Sequence, residues 1–159
     1  MNKTITIGIG DLNTAAPPDI LATYALGSCV GICLLDNKNH LGGLAHIMLP
    51  WSTEAVRKEN PRRYADTGIA ELANIMLKQG ADFRYVTAKI AGGAQMFAGS
   101  TGVFNIGERN VDAVKKVLAQ FRIPIVAEQT GENFGRTVFF EPATGVMIIK
   151  SAARQETRL

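Results

Sequence analysis

Cys29 follows Gly27-Ser28 at the junction of two apolar runs, Ile20 to Leu26 and Val30 to Leu35. Glycine at such a junction permits a tight turn that can project the next side chain into a cleft. The same turn around Gly27 and Ser28 can leave successive N–H groups unpaired and ready to face a developing oxyanion. A thiol at that point is a candidate nucleophile, while on local sequence alone a small buried hydrophobe is the commoner reading. His46 stands in the otherwise apolar segment Leu41 to Leu49, where an isolated histidine is most often a hydrogen-bonded core residue. A cysteine and a histidine within reach of one another would supply an activated thiolate and a proton shuttle. Thr23, near the end of the preceding run, carries a hydroxyl that could orient the imidazole, as the third member of a nucleophilic triad does. Its plainer reading is a β-branched residue that suits a strand.

Cys29, Cys33, His40 and His46 also invite a metal-site reading, being four ligand-type residues within 18 positions. An extended Cys29–Cys33 segment separates the two Cα atoms by about 13 Å, four steps of ~3.3 Å. That is too far for a shared zinc ion or a disulfide. Only a helical segment would rescue either, and Val30, Ile32, Leu34 and Leu35 around Gly31 argue against one. A zinc site is therefore not expected, and His40, in a turn, is expected to be exposed.

The elements that must position these residues follow from periodicity. Thr4 to Ile9 alternates as a strand; Asp11 to Asp19, with Pro17 and Pro18, reads as a loop; Ile20 to Leu26 is a second strand. Val30 to Leu35 and Leu41 to Leu49 flank the turn-rich Asp36 to His40 and predict a hairpin. Such a hairpin returns His46 towards the strand that Cys29 opens. Trp51 to Arg63 is a polar excursion, a candidate surface loop or lid. Ile69, Leu72, Ala73 and Met76 recur at helical spacing within Tyr64 to Gln79, with Gly80 placed to end the helix. Tyr85 to Ala91 is a strand leading to Gly92-Gly93. Val111, Val114, Leu118 and Phe121 predict a second helix over Asn110 to Phe121. Ile125 to Gln129, Thr137 to Glu141 and Val146 to Lys150 are short strands, and the polar residues 151–159 read as a flexible tail. The whole is an α+β class fold, one domain over residues 1–159, built of mostly antiparallel strands and two main helices.

Composition narrows the function. Hydrophobic content of 47% with 19% charged residues is that of a globular core. A formal net charge of +3 is too small to argue for nucleic acid. No apolar run approaches the ~18 residues that span a membrane. Without a signal-like core after Met1, a cytoplasmic location with reduced thiols is expected.

Several segments in order give the chain a resemblance to the chemoreceptor glutamine deamidase family, CheD. They are Thr23-Tyr24-Ala25-Leu26-Gly27-Ser28-Cys29-Val30 and Gly43-Leu44-Ala45-His46-Ile47-Met48-Leu49-Pro50, then Gly92-Gly93-Ala94-Gln95-Met96-Phe97 and Asn105-Ile106-Gly107-Glu108-Arg109-Asn110. Gly135-Arg136-Thr137-Val138-Phe139-Phe140 and Pro142-Ala143-Thr144-Gly145 complete the set. The resemblance implies a Cys–His–Thr catalytic set at Cys29, His46 and Thr23. It implies a layered α/β sandwich similar to the catalytic domain of cytotoxic-necrotizing-factor toxins. It also implies hydrolytic deamidation of glutamine on chemoreceptor cytoplasmic helices through a cysteine thioester, with glutamyl methyl ester hydrolysis open to the same site and no metal or organic cofactor required. A CheC-type phosphatase is the second partner it implies. Gly92, Gly93, Gln95, Phe97, Asn105 and Arg109 are candidates for a substrate or partner face, against the equal alternative of turn geometry and a helix entry. Arg57, Lys58, Arg62 and Arg63 could attract an acidic helix or form an ordinary solvated surface. The competing function is a regulatory binding module for the phosphatase, with no catalysis of its own.

Overall fold

Two strongly apolar segments of the chain become its central strands, β4 (Val30–Asp36) and β5 (Gly42–Ile47), every residue of which is buried. Strands covered on both faces read as continuous apolar runs rather than as alternation. Here one face of the pair, with Val30, Ile32, Leu34, Ala45 and Ile47, packs beneath two helices. The other face, with Cys33, Leu35 and Leu44, packs against a second sheet.

The structure is a computed structural model that describes residues 2–55, 60–96, 105–152 and 154–159. The remaining strands are β1 (Thr4–Ile7), β2 (Leu12–Ala15), β3 (Ile20–Leu26), β6 (Val86–Gly92), β7 (Ile125–Thr130), β8 (Arg136–Glu141), β9 (Val146–Ser151) and β10 (Arg154–Arg158). One sheet has the order β1-β3-β8-β9-β10 and the other β2-β5-β4-β6-β7. Pairing is antiparallel apart from β1 with β3 and β6 with β7. Helices α1 (Ala65–Lys78) and α2 (Ile106–Gln120) lie on the outer face of the β2-β5-β4-β6-β7 sheet. The result is the expected α+β layered sandwich, in the order sheet, sheet, helices.

Four local expectations need correction. β2 lies within the segment read as a loop: Asp11, Asn13, Pro17 and Pro18 gave it turn composition. The edge of a sheet needs only Leu12 and Ala15 to turn inward. α2 begins at Ile106, four residues before Asn110, because the Asn105 side chain accepts from the Glu108 N–H and donates to its carboxylate, a reciprocal cap. The segment read as a flexible tail supplies β10, paired antiparallel with β9. Leu159 exchanges backbone hydrogen bonds with Met147 and packs against the inter-sheet core. Finally, the described parts of Trp51 to Arg63 are anchored rather than lid-like. Ser52–Glu54 and Pro61–Arg63 are single 3-10 turns, and Arg62 is ion-paired with Asp11 and Glu71 at 2.7 Å each. Arg57 and Lys58 lie outside the described residues.

Candidate active site

Thr23 and His46 come from different sheets and meet across the sandwich. β3 runs in the first sheet, and the Gly27–Cys29 loop carries the chain over to β4 in the second. His46, on β5, is paired with Gly31 of β4. Because side chains alternate along a strand, Cys29, Gly31 and Cys33 share one side of β4. Cys33 belongs to the inter-sheet core and Cys29 packs against it. Cys29, directly before β4, lies towards the inter-sheet side on which His46 meets Thr23. Gly31 keeps the position opposite the imidazole small: a Cβ there would meet Leu26 Cδ1 at 3.2 Å and Thr23 Cγ2 at 3.7 Å.

The hydrogen bonds at Thr23 settle which imidazole nitrogen carries the proton. Thr23 Oγ1 donates to the Ile7 carbonyl at 2.7 Å and lies 2.6 Å from His46 Nδ1. A hydroxyl has one proton, and a carbonyl can only accept, so Thr23 gives its proton to Ile7. It must then accept from Nδ1–H. That leaves His46 Nε2 as the basic nitrogen, buried and without a hydrogen-bond partner among the described residues. β1 contributes the Ile7 carbonyl through its parallel pairing, Ile7 opposite Thr23.

Electrostatics keep the resting pair uncharged. His46 is fully buried, and desolvation pushes its pKa from 6.5 down to about 4. Burial also raises the half-buried Cys29 thiol above its ordinary value, opposed by a hydrogen bond from its own backbone N–H. Among the described residues no hydrogen bond joins Cys29 Sγ to Nε2; a neutral thiol brought within reach of the neutral imidazole can pass its proton to Nε2 as it attacks. It need not begin as an ion pair.

The loop that carries Cys29 is held by its carbonyls. Gly27 O accepts from Ala94 N at 2.9 Å and Cys29 O from Gly93 N at 2.8 Å. Ser28 O accepts from Asn110 Nδ2 at 2.9 Å. In a planar trans peptide the C=O and N–H point opposite ways. The N–H groups of Ser28 and Cys29 are thus turned away from these anchors.

Gly92 and Gly93, expected on a binding face or in a turn, lie beneath this loop. A Cβ on Gly92 would sit 2.2 Å from Cys29 O, and one on Gly93 2.2 Å from Val111 Cγ2. Gln95, Asn105 and Arg109 line a polar cleft between the start of α2 and the turn at Thr130–Glu132. Cys29, His46 and Thr23 are not among its lining residues, and Arg109 is ion-paired with Glu54 at 2.6 Å. Phe97 lies outside the described residues. His40 sits in the β4–β5 turn with Nδ1 3.3 Å from Pro142 O, and Cys33 is a buried thiol whose pKa burial drives far upward.

Two residues near the site carried no role in the sequence. Asn110 holds both Ser28 O and Met48 O. Arg136, fully buried, donates to Gln129 Oε1, Gly92 O and Gly131 O and stacks 4.3 Å from the Phe134 ring centroid. The available signal was a polar side chain in a buried stripe, at spacing 107, 110, 114, 117 on α2 and alternating with Val138 and Phe140 on β8.

Comparison with known proteins agrees over most of the chain. Residues 48–151 match the profile of the family described as CheD chemotactic sensory transduction. Over its full length the chain is 45% identical to a protein of Lachnoclostridium phytofermentans, itself fully covered, named "Probable chemoreceptor glutamine deamidase CheD". Proteins of the same name from Clostridium novyi (50% identical, 95% of each chain covered) and Syntrophomonas wolfei (46% identical, 98% of each) are similar along nearly their entire length.

Proposed function

The chain belongs to the CheD family, and from that premise we propose that it is a protein-glutamine glutaminase, deamidating glutamine side chains on the cytoplasmic helices of chemoreceptors. The observation that carries this reading is the Thr23–His46 hydrogen bond. It leaves Nε2 unprotonated, and without a hydrogen-bond partner among the described residues, on the face that Cys29 shares.

The placement of Thr23, His46 and Cys29 supports the following steps. As Cys29 Sγ attacks the amide carbon, its proton passes to His46 Nε2. The C–O double bond opens to an oxyanion, which takes up the N–H groups of Ser28 and Cys29, each donor being worth about 3 kcal/mol in such a site. The imidazolium returns that proton to the departing nitrogen, the C–N bond breaks, and ammonia leaves behind a thioester on Cys29. Water then loses a proton to Nε2 and attacks the thioester. The oxyanion re-forms and collapses, and His46 protonates the departing sulfur, releasing glutamate. A glutamyl methyl ester passes through the same thioester with methanol as leaving group. Met96, 46% exposed beside Gly27, gives the receptor helix an apolar contact at the mouth of the site.

The substrate places the reaction in the cytoplasm, and no helix among the described residues is long and apolar enough to cross a membrane. We assign the contact with a CheC-type phosphatase to the same mouth, where it would compete with the receptor. The test is acid quenching of the protein during turnover with a receptor cytoplasmic fragment. A receptor adduct on Cys29, with ammonia release matching glutamate formation, is the expected result. Ammonia release with no adduct on Cys29 in wild type or in slow His46 variants would overturn the thioester route. Phosphatase stimulation by Cys29→Ala protein, with no deamidation by wild type, would favour the regulatory module.

A further inference from the structure

Asn110 is a polar side chain in an apolar stripe. The buried face of α2 consists of Gly107, Asn110, Ala113, Val114, Val117 and Leu118, and Asn110 itself is fully buried. Its Nδ2 carries two hydrogens and meets two acceptors, Ser28 O and Met48 O, each at 2.9 Å. Its Oδ1 is buried without a hydrogen-bond partner among the described residues. A buried amide satisfied on one side only is a poor choice for stability at a helix–sheet contact. What its two bonds accomplish is geometric.

The Ser28 carbonyl and the Cys29 N–H belong to one planar peptide and point in opposite directions. Fixing the first therefore aims the second. Met48 lies two residues beyond His46, so the same amide also ties the nucleophile's loop to the end of the strand that carries the base. The carbonyls on either side, Gly27 O and Cys29 O, are held by backbone donors. The Ser28 carbonyl is held by a side chain, and in this loop it is the anchor that a substitution can remove.

We propose that Asn110 is a positioning residue for the reaction: it aims the Cys29 N–H at the oxyanion and sets the span between Cys29 and His46. This rests on the Cys29–His46 reading given above. It makes no contact with substrate, so its effect should be on turnover rather than on binding.

Asn110→Leu fills the stripe with an apolar side chain and removes both donors, and Asn110→Asp keeps the shape without the NH2 group. Each would be compared with wild type at equal folded concentration, by kcat and KM on a glutamine-bearing receptor fragment and by the rate of Cys29 alkylation with iodoacetamide across pH. In whichever variant folds, kcat is expected to fall about 100-fold, the scale of one lost oxyanion donor, with KM within about threefold of wild type. Alkylation at neutral pH should drop to the level of His46→Ala, and adding Asn110→Leu to His46→Ala should slow it no further. A kcat that tracks only the folded fraction, with an alkylation profile superimposed on wild type, would overturn the proposal. If wild type converts no glutamine while the Asn110 variants still slow alkylation in the presence of His46 alone, the deamidase reading fails and the positioning of Cys29 by Asn110 stands.

Discussion

Burial raises the Cys29 thiol and lowers the His46 imidazole to about 4, so thiol and imidazole both rest without charge. Thr23 completes the arrangement by taking the Nδ1 proton while giving its own to Ile7. Thr23→Val keeps the shape but strands both buried partners. Leaving such groups unpaired costs about 1–3 kcal/mol, and 1.4 kcal/mol is a factor of ten in rate. We therefore expect kcat to fall roughly 10- to 100-fold in Thr23→Val and to return in Thr23→Ser; equal activity of all three proteins would contradict the tautomer assignment. The lowered His46 pKa also carries a stability signature. Between 6.5 and about 4 the unfolded chain binds a proton that the folded protein refuses. The contribution of His46 is thus complete above pH 6.5 and is lost as pH falls towards 4, up to about 3 kcal/mol. Urea unfolding from pH 7 to pH 4 should show wild type losing that much more stability than His46→Gln, whereas parallel curves would refute it. At this scale the sequence singled out Cys29, His46 and Thr23 as candidates, because a cysteine after a glycine turn and a histidine in an apolar strand are visible as residue types, and the structure joins Thr23 to His46. Asn110 and Arg136 were not visible, since their partners are backbone carbonyls that only the folded chain brings near.

At the scale of elements, the connection from β3 to β4 does the positioning, and the loop after β6 supports it from below. Gly92 has φ +114°, and a Cβ there would lie 2.2 Å from the Cys29 carbonyl oxygen. Gly92→Ala is expected to cost 1–3 kcal/mol or about that and to lower kcat at least tenfold by displacing Cys29. Gly8→Ala, where nothing lies within 4 Å of the added methyl, should match wild type in both. Equal behaviour of the two variants, by urea midpoint and turnover, would mean that the loop after β6 does not support Cys29. The β4–β5 hairpin was legible because its strands are long and apolar and its turn is polar, and its register sets His46 opposite Gly31. The start of α2 was not, because Gly107 looked like a turn residue. In the structure glycine is needed there for contact: a Cβ would sit 2.4 Å from Ala94 O.

At the scale of the molecule, two sheets and a helical layer enclose the inter-sheet face on which Thr23 and His46 meet. Sequence periodicity gives the strands and helices but not which strands share a sheet. That Thr23 reaches His46 from the opposite sheet follows from topology alone. The polar last strand was equally hidden, since an edge strand gains its hydrogen bonds without an apolar pattern. β10 and Leu159 close one edge of this assembly, and Lys89 Nζ donates to the Leu159 backbone oxygen at 2.8 Å. Deleting residues 154–159 should therefore destabilise the protein by about 1 kcal/mol, from a partly buried leucine and the hydrogen bonds of β10. An unchanged urea midpoint would restore the frayed-tail picture.

The central claim is that Cys29 and His46 together hydrolyse a glutamine amide. It is tested most directly by mass spectrometry of a chemoreceptor cytoplasmic fragment after incubation with wild-type, Cys29→Ala or His46→Ala protein. Glutamine-to-glutamate conversion by wild type, none with Cys29→Ala and at most a trace with His46→Ala is the predicted result. Conversion by a folded Cys29→Ala protein, or by none of the three despite a tight receptor complex, would contradict it.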